Sequence, residues 1–150
     1  MSLQAKIMDA MKIAMKEKNS LALQSLRAVK SAILLAQTES GAKQELSKEE
    51  ELKLLQKLVK QRKDSAAIYK EQGREDLASP ELEEAAVIEQ FLPAQLSREE
   101  VEKIVDAIIT STGATSMKDM GKVMGLASKE IAGQADGKTI STVVKNRLSS

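Results

Sequence analysis

The chain has 150 residues and nearly balanced charge, 23 Lys+Arg against 22 Asp+Glu, and it contains neither Cys nor His. The first absence rules out disulfides, thiolate nucleophiles and cysteine-held metals, and the second removes the commonest general base and transition-metal ligand. The apolar residues are Ala, Leu, Ile, Val and Met, with Tyr69 and Phe91 the only aromatics and Pro80 and Pro93 the only prolines, which is the palette of an all-α protein. The first residues lack the layout of a secretory signal, and no apolar run approaches the roughly 20 residues needed to span a bilayer, so a cytoplasmic protein with no membrane association is expected. Charge is unevenly spread: residues 1–70 carry 14 basic against 8 acidic side chains, 71–100 carry 2 against 9, and 101–150 carry 7 against 5. Two mildly basic regions flanking an acidic one are compatible with a polyanion partner, without the strong basic signature of a dedicated nucleic-acid binder.

In chain order, Leu3, Ile7, Met11 and Ala14 predict a first helix from Leu3 to Lys16. Asn19 or Ser20 caps a second, whose Ala22, Leu26, Val29, Ile33 and Ala36 make a heptad-like seam and which Gly41 ends. Ser47 with Glu50 three residues later reads as a capping box. It opens a long third helix, Lys48 to about Gln72, with an apolar stripe of Leu52, Leu55, Val59, Ala66 and Tyr69. Helices two and three are expected to pair as an antiparallel hairpin. Arg62 interrupts the stripe, which predicts a partly buried guanidinium paired with Glu83, Glu84 or Glu89. Gly73 stops this helix, residues 74–78 are read as a short helical turn leading into a fourth helix, and Pro80 is expected in the first turn of that helix.

Pro93 ends that helix, and Ser97 with Glu100 is a second capping box, so the boundary falls between an N-terminal domain, 1–94, and a C-terminal domain, 95–150. Val101, Ile104, Val105, Ile108 and Ile109 define the fifth helix. Ser116 caps the sixth, with Met120, Val123, Met124, Ala127 and Ile131 inward. Asp136 caps the seventh, with Ile140, Val143, Val144 and Leu148 inward. The expected architecture is therefore an all-α chain, an N-terminal helical hairpin domain followed by a small C-terminal three-helix bundle.

Four of the seven glycines fall between Gly121 and Gly137. A glycine inside a helix costs about 1 kcal/mol relative to Ala, so Gly121 and Gly125 imply close approach of another helix or of a ligand to bare backbone. Gly133 and Gly137 shape a turn or, with Lys138, meet phosphates, although the carboxylate of Asp136 competes for the same helix-start donors. Lys122, Lys129, Lys138, Lys145 and Arg147 are the C-terminal candidates for polyanion contact. Lys53, Lys57, Lys60 and Lys63 on the long helix are the N-terminal ones, set against a solvated face in which Glu49, Glu50 or Asp64 pairs them. The glycine spacing does not match a phosphate-binding loop, and no strand precedes it. The acidic group Glu81, Glu83, Glu84 and Glu89 reads as solvated surface, so no catalytic or metal site is assigned. Met8, Met11 and Met15 are expected to spread over more than one face of the first helix, as core or as an adaptable protein-binding surface.

Lys60-Gln-Arg-Lys-Asp-Ser65, Gly73-Arg-Glu-Asp-Leu77, Phe91-Leu-Pro-Ala-Gln-Leu-Ser97, Asp119-Met-Gly-Lys-Val-Met-Gly125 and Gly133-Gln-Ala-Asp-Gly-Lys138 together resemble the YqeY family over essentially the whole chain. That family is similar to the C-terminal tail of the B subunit of the glutamine-dependent tRNA amidotransferase, an all-helical appendage that contacts tRNA while the chemistry belongs to other domains. The resemblance implies tRNA or amidotransferase subunits as partners, and no catalytic site or cofactor in this chain. The expected function is thus a non-catalytic accessory that binds tRNA. The alternatives are a module docking on a partner protein and a participant in a carbon–nitrogen ligase reaction with glutamine as amide donor. With so few rings to stack on bases, RNA would be read by shape and phosphate.

Overall fold

The computed structural model describes residues 2–39 and 45–149. Gly41, expected to end the second helix, lies outside them. The described residues form seven α-helices and one 3₁₀ turn, without a strand. They divide into two compact units, 1–92 and 93–150.

The N-terminal unit holds α1 (Leu3–Lys16), α2 (Ser20–Glu39), α3 (Lys48–Glu71) and α4 (Glu75–Glu89). Ser2 and Asn19 cap the first two, their side-chain oxygens accepting from the N–H groups of Ala5 and Ala22 at 3.1 Å. Ser47 caps α3 in the same way, but Glu50 accepts from the Ser47 hydroxyl rather than from its backbone N–H, so this box is only half formed. Leu3, Ile7, Leu26, Val29, Ile33, Leu55, Val59, Ala85 and Ile88 make one buried cluster, against which Phe91 packs. Burial of each large aliphatic side chain there contributes about 1.5–3 kcal/mol.

Two expectations are corrected here. The long hairpin pairs α3 with α4 rather than α2 with α3; α2 packs chiefly on α1 and α4. Gly73, at φ 73°, reverses the chain within three residues of the end of α3, and the buried Ala66 and Ala78 on either side of this turn are the small residues a close helix pair requires. The fourth helix starts at Glu75, so Pro80 sits inside it. The missing N–H forfeits one bond near the helix start, and the buried Ala78, Ala85 and Ile88 fix the helix across the proline. Tertiary burial overrides a local start signal.

The C-terminal unit holds α5 (Arg98–Thr112), a 3₁₀ turn (Met117–Asp119), α6 (Met120–Ile131) and α7 (Gly137–Ser149). Ser97 and Glu100 form the complete reciprocal capping box of α5, and Gly113 in left-handed conformation ends it. Ser116 caps the 3₁₀ turn rather than α6 directly. Val101, Val105, Val123, Ala127, Ile131, Val143 and Val144 are at the centre of a separate buried cluster.

Candidate nucleic-acid interface

α6 is sharply two-faced. Val123, Ala127 and Ile131 are fully buried, whereas Gly121, Lys122, Gly125, Ser128 and Lys129 are exposed. At 3.6 residues per turn, Gly121, Gly125 and Ser128 fall within roughly 60° of one another, with Lys122 and Lys129 along one edge of that strip. A Cβ built at Gly121 or Gly125 would meet no atom within 4 Å. The expectation that these glycines let α6 pack on a neighbouring helix is therefore corrected: they face outward, and the helix presents bare backbone beside two lysines. A Cβ at Gly137, the exposed first residue of α7, would likewise meet no atom within 4 Å.

Gly133 has a different role. At φ 78° it takes a conformation that disfavours any side chain, and it forms the turn between α6 and α7. Its carbonyl accepts from Gln95 Nε2 at 2.8 Å, and the neighbouring Gln134 carbonyl accepts from the Leu96 N–H at 2.8 Å. Gln134 Nε2 in turn donates to the Ala94 carbonyl at 3.4 Å. Residues 93–96 are thus clamped onto the α6–α7 turn, which joins two of the sequence motifs, Phe91–Ser97 and Gly133–Lys138, by hydrogen bonds. Gln95 and Gln134 were not singled out in the sequence. A glutamine in each of two separated loop motifs was the available signal, since its amide can satisfy a carbonyl and an N–H at once.

At the start of α7 a carboxylate competes with any anion. Asp136 Oδ1 accepts from the Thr139 N–H at 2.7 Å, filling a donor that a phosphate would need.

The basic candidates separate by their partners. Lys53 pairs with Glu49 at 3.5 Å, Lys60 with Asp64 at 2.8 Å and Lys63 with Glu89 at 2.6 Å. Lys57, between them, forms no ion pair within 4.0 Å among the described residues. Arg147 bridges α7 to α5, with Nη2 3.0 Å from Glu102 Oε2 and Nε 3.2 Å from Asp106 Oδ1, so its charge is engaged in holding the bundle. Lys122, Lys129, Lys138 and Lys145 form no ion pair within 4.0 Å among the described residues. Lys138 and Lys145, seven residues apart, share the exposed face of α7, opposite its buried Ile140, Val143, Val144 and Leu148.

Arg62 lies in the α3–α4 seam, its side chain 16% exposed, with Nε 3.5 Å from Glu84 Oε2. That distance makes an ion pair without a hydrogen bond, and Nε is left with no hydrogen-bond partner, while Nη1 donates to the Leu58 carbonyl at 3.1 Å. Burial pushes the Glu84 carboxyl above its ordinary value, Arg62 opposes that shift, and Glu81 adds to it. Glu51, on α3, is likewise raised by burial and by Glu45, with Lys6 and Lys48 opposing. Among the described residues no three or more carboxylates gather as a metal site requires. No described helix is long and apolar enough to cross a membrane.

Fold and surface together define an all-helical protein of two units, the smaller of which carries Lys122, Lys129, Lys138 and Lys145 without an ion pair within 4.0 Å among the described residues. The model of the family described as Yqey-like protein matches residues 4–148, and the chain belongs to that family. It is 36% identical over 84 residues to the E subunit of glutamyl-tRNA(Gln) amidotransferase from Thermococcus gammatolerans, covering 53% of this chain and 13% of that protein. It is also 36% identical over 97 residues to the altered inheritance of mitochondria protein 41, mitochondrial, of Clavispora lusitaniae, covering 63% of this chain and 55% of that one. The alignments thus span only part of these relatives' lengths.

Proposed function

We propose that this YqeY-family protein is a non-catalytic cytoplasmic accessory of tRNA-dependent amidation, binding tRNA through its C-terminal unit and working beside amidotransferase subunits. The observation that carries this reading is the exposed strip of α6, where Gly121 and Gly125 leave the backbone open next to the unpaired Lys122 and Lys129. Family membership and the likeness to one chain of an amidotransferase supply the kind of RNA. Bare helical backbone lets a phosphate ribbon approach closely, and lysines without internal partners can release counterions on contact. No aromatic residue lies in 93–150, so recognition rests on backbone shape and charge rather than on base stacking. Lys138 and Lys145 extend the same charge onto α7. The paired Lys53, Lys60 and Lys63 are secondary.

Fluorescence anisotropy of labelled bulk tRNA at several salt concentrations tests this. Binding is expected to weaken with a log–log slope of about −2 to −5, as contact with a few phosphates requires. No binding at low salt would reject the RNA reading. Glutaminase or tRNA-amidation turnover by the purified chain alone would replace the accessory role with that of an enzyme.

A further inference from the structure

A second surface lies on the N-terminal unit and does not depend on the RNA reading. Between α1 and α2 runs an apolar groove of about 220 Å³ lined by Gln4, Ile7, Met8, Lys30, Ile33 and Leu34. Met8 is 42% exposed, Met15 54% and Leu34 50%, a contiguous exposure of large apolar side chains of the kind that marks interaction surfaces. The methionines of α1 do not spread over several faces as expected from the sequence. Met8, Met11 and Met15, spaced three and four apart, fall on one flank with Gln4. On the facing flank of α2 the same spacing aligns Leu23, Arg27, Lys30 and Leu34. Neither strip contains a carboxylate, and Arg27 and Lys30 form no ion pair within 4.0 Å among the described residues.

We infer that this groove, together with the exposed flanks of α1 and α2 that carry Met15 and Arg27 beyond it, receives an amphipathic helix of a partner protein, with apolar anchors set on Met8, Met15 and Leu34 and acidic residues facing Arg27 and Lys30. The volume is below the roughly 300 Å³ at which small-molecule sites begin, so it suits anchor side chains rather than a free ligand. Strand addition needs a sheet edge and polyproline recognition needs an aromatic-lined groove; the described residues offer no strand, and no ring lines this groove. A helix laid in a groove suits an apolar cleft between two helices, and unbranched methionine side chains adapt to such an anchor. Charge selects the partner's sign. Residues 3–39 carry 6 basic against 3 acidic side chains, so a second copy presenting the same face would meet like charge.

The test uses the full chain and three designed helical peptides with Leu anchors at i, i+4 and i+7. One is flanked by Glu, one by Lys, and one is the Glu peptide with its sequence scrambled. The Glu-flanked helix is expected to bind at least tenfold more tightly than the other two. Met8→Asp and Leu34→Asp should each weaken it tenfold or more. Arg27→Glu/Lys30→Glu, at exposed positions that leave folding intact, should exchange the preference so that the Lys-flanked helix binds better. Equal binding of Glu- and Lys-flanked peptides, or of designed and scrambled ones, overturns the inference. So does a dimer of the native chain that Leu34→Asp dissociates, which would make a second copy the occupant. Loss of tRNA binding in Arg27→Glu/Lys30→Glu, with peptide binding unchanged, would assign the face to RNA instead. Failure of tRNA binding in the wild type leaves the peptide result standing, so the two readings fail separately.

Discussion

The lysines of α3 and those of α6 and α7 look alike in sequence, and the fold treats them differently. On α3, three of the four candidates, Lys53, Lys60 and Lys63, each have a carboxylate within 3.5 Å, two of them one helical turn away and the third on α4, and Lys57 alone of the four has none within 4.0 Å among the described residues. On the C-terminal unit, Lys122, Lys129, Lys138 and Lys145 have none within 4.0 Å among the described residues. The difference arises from neighbours, not from the lysines. On α3 the carboxylates Glu49 and Asp64 lie one turn from Lys53 and Lys60 and Glu89 of α4 reaches Lys63, whereas the exposed strip of α6 is bordered by glycine and serine. A paired lysine gives up part of its field to its partner; an unpaired one keeps it for a ligand.

The largest expected effect concerns a cation that the fold withdraws from solvent. Arg62→Ala should destabilise the N-terminal unit by about 2–3 kcal/mol in urea unfolding, because it leaves Glu84 half-buried without its counter-charge. Arg62→Met with Glu84→Leu should recover most of that loss. The pH dependence follows in sign. Glu84 titrates higher folded than unfolded, so the native state holds its proton more readily, and this group favours folding less as pH rises through that window. Removing Arg62 raises Glu84 further, so the deficit of Arg62→Ala should be largest at pH 7 and shrink as pH falls toward 4.5, the ordinary value. A deficit independent of pH would make the loss one of packing alone.

Next in size, Lys122→Gln/Lys129→Gln should reduce tRNA affinity about tenfold, or about 1.4 kcal/mol, with the thermal midpoint nearly unchanged. Smaller still are the glycines. Since a Cβ at Gly121 or Gly125 meets nothing, Gly→Ala at each should stabilise the C-terminal unit by about 0.5–1 kcal/mol while weakening tRNA binding several-fold. Stabilisation without loss of binding would mean that no ligand approaches that backbone. The smallest effect is expected from Lys53→Gln/Lys63→Gln, less than twofold in affinity, as engaged surface charges contribute little.

Much of this was legible in the chain. Helix periodicity and caps placed α1, α5 and α7 closely, and the misplaced charge in the α3 stripe predicted the Arg62 pair, with Glu84 among its three named partners. Local rules failed where tertiary context decided. Pro80 signals a helix start, yet burial of Ala78 and Ala85 carries the helix across it. Which helix faces α3 depends on α2 and α4 competing for one apolar stripe, and no spacing within a single segment encodes that. Gly121 and Gly125 announced a close approach but not its direction, because only the packed bundle shows that the apolar face of α6 lies opposite them. Likewise the pairing of Lys63 depends on Glu89, across the hairpin.

The salt dependence of tRNA binding tests the central claim most directly, because it counts phosphates released from counterions rather than overall affinity. For Lys122→Gln/Lys129→Gln the magnitude of the log–log slope should fall by about 1 to 2 from the wild-type value, and for Lys53→Gln/Lys63→Gln it should stay unchanged. An unchanged slope in the first variant, or an equal fall in the second, would contradict the assignment of the RNA surface to the unpaired lysines of the C-terminal unit.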